Sequence, residues 1–209
     1  MMRLFNMLQF PVMRLGLMGL MFPLLLSGCF RASKSDQFYM LQALDASGPV
    51  APAADGPLVG LGPIKVPAYL DRPQMVTALS GQEYRLADEQ RWAERLDVNI
   101  ARVSAQNLSS LIPTDRVLLQ PWPREPKPDV QVAINIQALH VDPLGQVVMD
   151  AGWSLRYGKD FAQSLNRRFA CRQPASSSDY ALMVAVESQC LSRLNRDIAA
   201  AIRDLVRPR

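Results

Sequence analysis

The sequence predicts an α+β fold: a largely antiparallel β-sheet covered by two helices, one of them long and C-terminal, in a single two-layer α/β domain behind an N-terminal tether. Three patterns carry this reading. Val130, Val132, Ile134 and Ile136 alternate with polar or small residues, and Val147, Met149, Ala151, Trp153, Leu155 and Tyr157 do the same, which is the period of strands buried on one face. Leu191, Leu194, Ile198, Ile202 and Leu205 recur at helical spacing beside Arg193, Arg196, Asp197 and Arg203, an amphipathic helix over Ser178 to Val206. An antiparallel sheet with one apolar face needs a cover, so this helix is read as packed on the sheet and not as lying on a membrane surface.

From the N-terminus, the first segment is not part of that domain. Leu15 to Leu26 is a run of 12 uncharged residues behind Arg14, well short of the roughly 20 apolar residues that cross a bilayer as a helix. Basic flank, short apolar run and small residues stand in the order of a secretory signal. The ending Leu26-Ser27-Gly28-Cys29 matches the bacterial lipobox. Small residues let the backbone lie extended in a protease groove, and the cysteine thiol becomes the thioether that carries a diacylglycerol. Residues 1–28 are therefore predicted to be a lipoprotein signal peptide, with Met13 as an alternative start, and Cys29 to be the lipidated, palmitate-bearing residue. Each buried CH₂ of such an anchor contributes about 0.8 kcal/mol, and more than one chain makes the anchoring stable. Phe30 follows the cysteine. The resemblance to bacterial lipoproteins, in which aspartate at that position signals inner-membrane retention, then implies the periplasmic face of the outer membrane. Residues 29–37 form the lipidated tether, polar from Arg31 to Gln37, and 38–209 the domain.

Within the domain, a short apolar stretch, Phe38 to Leu41, precedes a loop rich in Ala, Pro and Gly from Asp45 to Pro57. Leu58 to Val66 reads as a buried strand broken or bulged at Gly62-Pro63. Met75 to Leu79 and Glu83 to Leu86 flank Ser80-Gly81 as a hairpin. Asp97 is placed to cap a helix carrying Ile100, Val103, Leu108 and Leu111, which Pro113 stops. The two alternating strands follow, joined by Asp142-Pro143-Leu144-Gly145, whose Asp, Pro and Gly suit a type I turn. A third strand, around Leu165 to Cys171, succeeds the Gly158-Lys159-Asp160 turn before the closing helix.

Composition limits the chemistry. With 49% hydrophobic and 20% charged residues over 209 positions, the chain is too apolar for disorder and suits one globular domain. Two of its 23 basic residues, Arg3 and Arg14, lie in the first 28 residues, which hold no acid, so a chain beginning at Cys29 carries 21 against 19, a net +2. That is no nucleic-acid footprint. The single histidine, His140, excludes a multi-histidine metal site and leaves one candidate for histidine acid–base work. Its place near the end of a strand, where the apolar phase slips from Ile136 toward Leu139 and Val141, fits a rim or core histidine.

No hydrolase elbow, zinc-helix, Cys-x-x-Cys or Walker motif is present, and Gly60-Leu61-Gly62 lacks the third glycine of a dinucleotide loop. No enzyme, cofactor or metal site is expected. Of three cysteines, Cys171 and Cys190 remain after Cys29; an oxidising compartment permits their disulfide, and two separate buried thiols are the alternative.

Two segments hold more polar and aromatic side chains than a core requires. Val66 to Val76 contains Tyr69, Leu70, Asp71, Arg72 and Gln74, and Arg91 to Asp97 contains Arg91, Trp92 and Glu94. Proline-held loops beside a sheet present such residues to partners, so these eight are the candidate partner interface. The alternative for Tyr69 and Trp92 is that they cover the core edge, and for Asp71 with Arg72 a local ion pair.

These segments also carry a resemblance. The lipobox, Tyr39-Met40-Leu41, Gly62-Pro63-Ile64-Lys65-Val66-Pro67-Ala68-Tyr69-Leu70-Asp71-Arg72-Pro73-Gln74-Met75-Val76, Arg91-Trp92-Ala93-Glu94-Arg95-Leu96, and the closing Arg193-Leu194-Asn195-Arg196-Asp197-Ile198-Ala199 together resemble the ABC-type transport auxiliary lipoproteins of the PqiC/YmbA family. Arg95 departs from the family's proline. The resemblance implies a subunit of an MCE-type (PqiABC-like) intermembrane lipid transport system that supports envelope integrity. It would work beside an MCE-domain protein (PqiB-like) and its inner-membrane partner, anchored in the inner leaflet of the outer membrane, and a homo-oligomeric ring would match the symmetry of an MCE tunnel. An assembly factor or chaperone for an outer-membrane complex is the alternative. A lipid-processing enzyme, which would need His140, is a weaker third.

Overall fold

A computed structural model describes residues 35–43, 56–112 and 114–206; the lipobox and Cys29 lie outside them. Along the chain come β1 (Gln37–Tyr39), β2 (Val59–Lys65), β3 (Gln74–Ala78), β4 (Tyr84–Trp92), α1 (Leu96–Leu111), β5 (Val117–Leu119), β6 (Val130–Val141), β7 (Gln146–Tyr157), β8 (Gln163–Pro174) and α2 (Tyr180–Val206). The fold is the expected α+β domain, with the two helices over one face of a single sheet.

The long ladders are antiparallel. β6 pairs with β7 from Val130↔Tyr157 to Val141↔Val147, and β7 pairs with β8 from Gln146↔Pro174 to Tyr157↔Gln163. The turn between β6 and β7 is closed by Gly145 N donating to Asp142 O at 3.0 Å, with the Asp142 carboxylate accepting from the Leu144 and Gln146 amides. Alternation along one strand does not reveal crossovers, and these add short parallel joins: β1 with β4, β2 with β5, β2 with β6 and β3 with β6. The sheet is therefore mixed, antiparallel where it is longest. β5 was not expected, being only three residues in a proline-rich stretch.

The irregularity anticipated in β2 is a register shift between Leu61 and Ile64. Gly62 sits there at φ +142°, and a Cβ on it would meet Gln120 at 2.6 Å. Gly60, where a Cβ would meet Pro128 at 2.7 Å, and Gly62 thus serve a close approach of the chain that follows β5, not a phosphate loop.

Val132, Ile134, Ile136, Met149, Ala151 and Leu155 from the sheet, Ile100, Val103 and Leu108 from α1, and Leu191, Leu194, Ile198 and Ile202 from α2 form one buried cluster. Each fully buried aliphatic side chain contributes about 1.5–3 kcal/mol, enough together to fix the helices over this face. One expectation at a helix start is corrected. The residue flanking α1 is Arg95, and Asp97 lies inside the first turn, where its charge faces the positive end of the helix and pairs with Arg95. At the start of α2, Asp179 Oδ1 accepts from the Leu182 amide at 3.0 Å, the bond of an N-cap. No helix among the described residues is long and apolar enough to cross a membrane.

Cys171 on β8 and Cys190 on α2 are joined by a disulfide, with Cα atoms 5.8 Å apart and a sequence separation of 19. It fastens the long helix to an outer strand of the sheet. On the chain-entropy argument, the Cys171→Ala/Cys190→Ala protein is expected to lose about 3 kcal/mol of stability, measured by urea unfolding.

Glu187 of α2 is 1% exposed, and its Oε2 has no hydrogen-bond partner among the described residues. Desolvation pushes its carboxyl from 4.5 up to about 8, so the folded chain keeps it protonated at neutral pH. The unfolded chain releases that proton above its ordinary value, and stability contributed by this group therefore falls as pH rises from about 4.5 to about 8. Glu187→Gln is expected to match the parent protein at the acid end of that window. At pH 8–9 it should exceed it by on the order of 4 kcal/mol, read from urea midpoints at each pH.

Candidate partner interface

The loop between β2 and β3 is wound tightly: Pro67 O accepts from the Leu70 and Asp71 amides at 2.9 and 3.2 Å, and Leu70 O from the Arg72 amide at 2.9 Å. This winding separates its side chains. Leu70 is 3% exposed and belongs to the core, while Asp71 and Arg72 stand in solvent. Trp92, at the end of β4, is likewise in the core at 7% exposure. Of the eight candidate residues, Leu70 and Trp92 therefore offer no contact surface; their apolar bulk belongs to the buried cluster. For Trp92, the core-edge alternative describes its position.

Tyr69 turns to the other side of the sheet. Its hydroxyl lies 3.4 Å from His140 Nδ1, its ring centroid 5.3 Å from that of Tyr84, and Tyr84 meets His140 edge-on at 5.3 Å. Burial, followed by the Arg172 charge, holds His140 below its usual pKa against the opposing Asp142 and Asp150, and burial raises the Tyr69 phenol. The result is a neutral aromatic clasp that fixes the loop to β6 and β4. Sequence reasoning did not connect these three, because Tyr84 and His140 are brought together only by the pairing of the sheet.

The second segment is occupied by structural bonds. Glu94 Oε1 accepts from Asn99 Nδ2 at 2.8 Å and from Arg102 Nη2 at 2.7 Å. Asn99 Oδ1 in turn accepts from the Leu41 amide at 2.8 Å, and Ala93 N donates to Tyr39 O at 2.9 Å. Arg91 holds Asp36 at 2.7 Å. On the α2 side, Ser188 Oγ accepts from the Gln42 amide at 3.0 Å. The motif from Arg91 to Asn99 thus stitches residues 36–42 to the body of the domain.

Arg95 takes φ −54°, within the range a proline would impose, so the turn into α1 keeps a proline-like path. Its guanidinium bonds Asp97 and reaches Asp71 at 3.6 Å. The hydrogen bonds that Arg95 donates to Asp97 raise the Arg95 pKa and lower that of Asp97. Asp71, Arg72 and Arg95 consequently form one exposed, charged edge, with half-buried Gln74 beside it, and Arg72 has no salt-bridge partner among the described residues. Among the described residues, no group of three or more His, Cys, Asp or Glu could hold a metal ion. Cys29 lies outside the described residues.

The anchoring role of Asn99 is testable. Asn99→Ala removes a buried bond at each end of its amide and is expected to cost about 1–3 kcal/mol. Hydrogen exchange should show residues 37–42 losing protection while β6 and β7 keep theirs.

The family described as the ABC-type transport auxiliary lipoprotein component matches residues 39–199. The intermembrane transport lipoprotein PqiC of Escherichia coli (strain K12) is 26% identical over 183 residues, covering 86% of this chain and 93% of that protein, and PqiC of Shigella flexneri gives the same values. Among solved structures, an uncharacterized protein superposes with a TM-score of 0.66 at 22% identity, covering 81% of this chain and 99% of the other. Protein XCC0632 from Xanthomonas campestris does so with a TM-score of 0.60 at 16% identity, over 81% and 100%. At these identities the two structures share the fold.

Proposed function

The chain belongs to the ABC-type transport auxiliary lipoprotein family, and from that premise we propose that it is the outer-membrane-anchored, periplasmic subunit of an MCE-type intermembrane lipid transport system. The family match across 39–199 makes it an auxiliary lipoprotein of a transport system, and the likeness to PqiC over 86% of the chain is the observation that carries the finer reading.

In this proposal Cys29 bears the lipid, and the domain is held against the inner leaflet. Asp36, which Arg91 fixes to β4, lies seven positions after Cys29. Fully extended, that length is about 25 Å, so the domain stays close to the membrane. The edge of Asp71, Arg72 and Arg95 then docks the end of the MCE tunnel, and a ring of copies matches the tunnel's symmetry. The role is to bind and position. His140, the one candidate general base, lies under the rings of Tyr69 and Tyr84.

The test is affinity capture of the full lipoprotein from solubilised envelopes, with Arg72→Glu and Asp71→Lys proteins in parallel and partners identified by mass. An MCE-domain protein is expected with the parent protein and at least tenfold less of it with each variant. Both substitutions are at exposed positions and should leave thermal midpoints within about 1–2 °C of the parent. Capture of a β-barrel in place of an MCE protein would overturn the reading in favour of an assembly factor.

A further inference from the structure

The face of the sheet turned away from the helices carries an open depression of about 510 Å³, lined in part by Lys65, Asn135, Gly152, Ser154, Asn166 and Arg168. Strand register places four of these in one row. Lys65 of β2 stands opposite Asn135 of β6, Asn135 opposite Gly152 of β7, and Gly152 opposite Arg168 of β8. The next row on the same face adds Ser154 and Asn166, which also face one another. Three strand spacings separate Lys65 from Arg168, about 14 Å, a gap that two long cationic side chains can close over one anion.

The charges in this row are unspent. Neither Lys65 nor Arg168 has a salt-bridge partner among the described residues, and the side chains of Asn135, Ser154 and Asn166 hold no hydrogen bond there. Asp150, two positions before Gly152 on β7, is neutralised by Arg172 through bonds of 2.8 and 2.7 Å.

Gly152 is the telling residue. Glycine within a strand forfeits stability and normally marks a bulge, a bend or a close approach. Gly152 marks none of these: its pairings on both sides are regular, its φ is not in the left-handed region, and a Cβ built on it meets nothing within 4 Å. What the missing side chain does is keep the floor of the depression open between Asn135 and Arg168.

We propose that this row is a binding site for a phosphate ester. Lys65 and Arg168 would supply the charge, and Asn135, Ser154 and Asn166 the hydrogen bonds to the phosphate and its polar substituent. The size of the depression suits an organic phosphate such as a phosphoglycerol headgroup better than a bare ion. The charged edge of Asp71, Arg72 and Arg95 plays no part in it, so the site stands or falls apart from the docking role.

Glycerol phosphate, inorganic phosphate and bicelles of phosphatidylglycerol in phosphatidylcholine are titrated into the full lipoprotein in non-ionic detergent. Binding is followed by calorimetry and by amide shifts of residues 150–154. Saturable glycerol phosphate binding is expected, weakened at least tenfold by Lys65→Ala, by Arg168→Ala and by Gly152→Val. Gly152→Val should leave the thermal midpoint unchanged or higher, which separates occlusion of the site from damage to the sheet. Shifts in both the glycerol phosphate and the phosphatidylglycerol arms identify a lipid headgroup; shifts with glycerol phosphate alone identify a soluble phosphate ester. The proposal is overturned if glycerol phosphate does not bind. It is equally overturned if Gly152→Val binds as the parent does, or if inorganic phosphate binds as tightly as glycerol phosphate, as at a diffuse cationic surface.

Discussion

One extra residue in β6 sets the relation between the two faces of the sheet. β6 pairs with β2, β3 and β7, more partners than any other described strand, so its phase is imposed on its neighbours. Val130 to Ile136 point their alternate side chains under the helices; the ladder then skips Gln137, and Leu139 and Val141 resume the inward phase. A bulge of this kind re-aims every residue beyond it. Without it, Leu139 and Val141 would face outward and His140 would enter the apolar core. With it, His140 emerges on the outer face, where Tyr69 and Tyr84 close over it and fix the loop between β2 and β3.

The bulge also shows what the sequence could reveal. The slip in apolar phase between Ile136 and Leu139 was visible as a change of pattern, as were β7, the bend at Gly62-Pro63 and the long closing helix, because burial of one face writes a period into a single segment. β1 and β5 carry no such period, at three residues each, and their parallel pairing depends on strands far along the chain. The helix start at Leu96 was misplaced by two residues because Asp97 looks like a cap locally, whereas in the fold its carboxylate is engaged by Arg95.

The candidate surface was legible in position but not in orientation. An aromatic among charges between prolines reads as exposed, yet Leu70 and Trp92 are core residues, and Glu94 is engaged with Asn99 and Arg102. Those partners cannot be inferred from spacing: Asn99 joins Leu41 across 58 residues of chain. The row from Lys65 to Arg168 was hidden for the same reason, since each of its residues is an ordinary outward position until strand register places them side by side. The pairing of Cys171 with Cys190, left open by counting cysteines, likewise follows only once β8 lies beneath α2.

The stitched segment and the charged edge meet at the end of β4. Arg91 holds Asp36, the Trp92 amide donates to Pro73 O of the loop at 2.7 Å, and the Ala93 amide donates to Tyr39 O. Three consecutive residues thus take up both the chain arriving from the N-terminus and the loop bearing Asp71 and Arg72. Trp92, between them, is locked in the core, so these attachments are made to a rigid point and not to a surface strand free to move. In the proposed role this has a mechanical meaning. A lipid anchor on Cys29 and a partner on the loop would pull on adjacent residues of one strand, and the load would pass between membrane and partner through a few hydrogen bonds and one ion pair at the domain's edge. The helices would share it only through Asn99 and Ser188, which hold Leu41 and Gln42. The buried Trp92 is then valuable as the fixed point that aligns tether and loop, which a contact residue at the same place could not be.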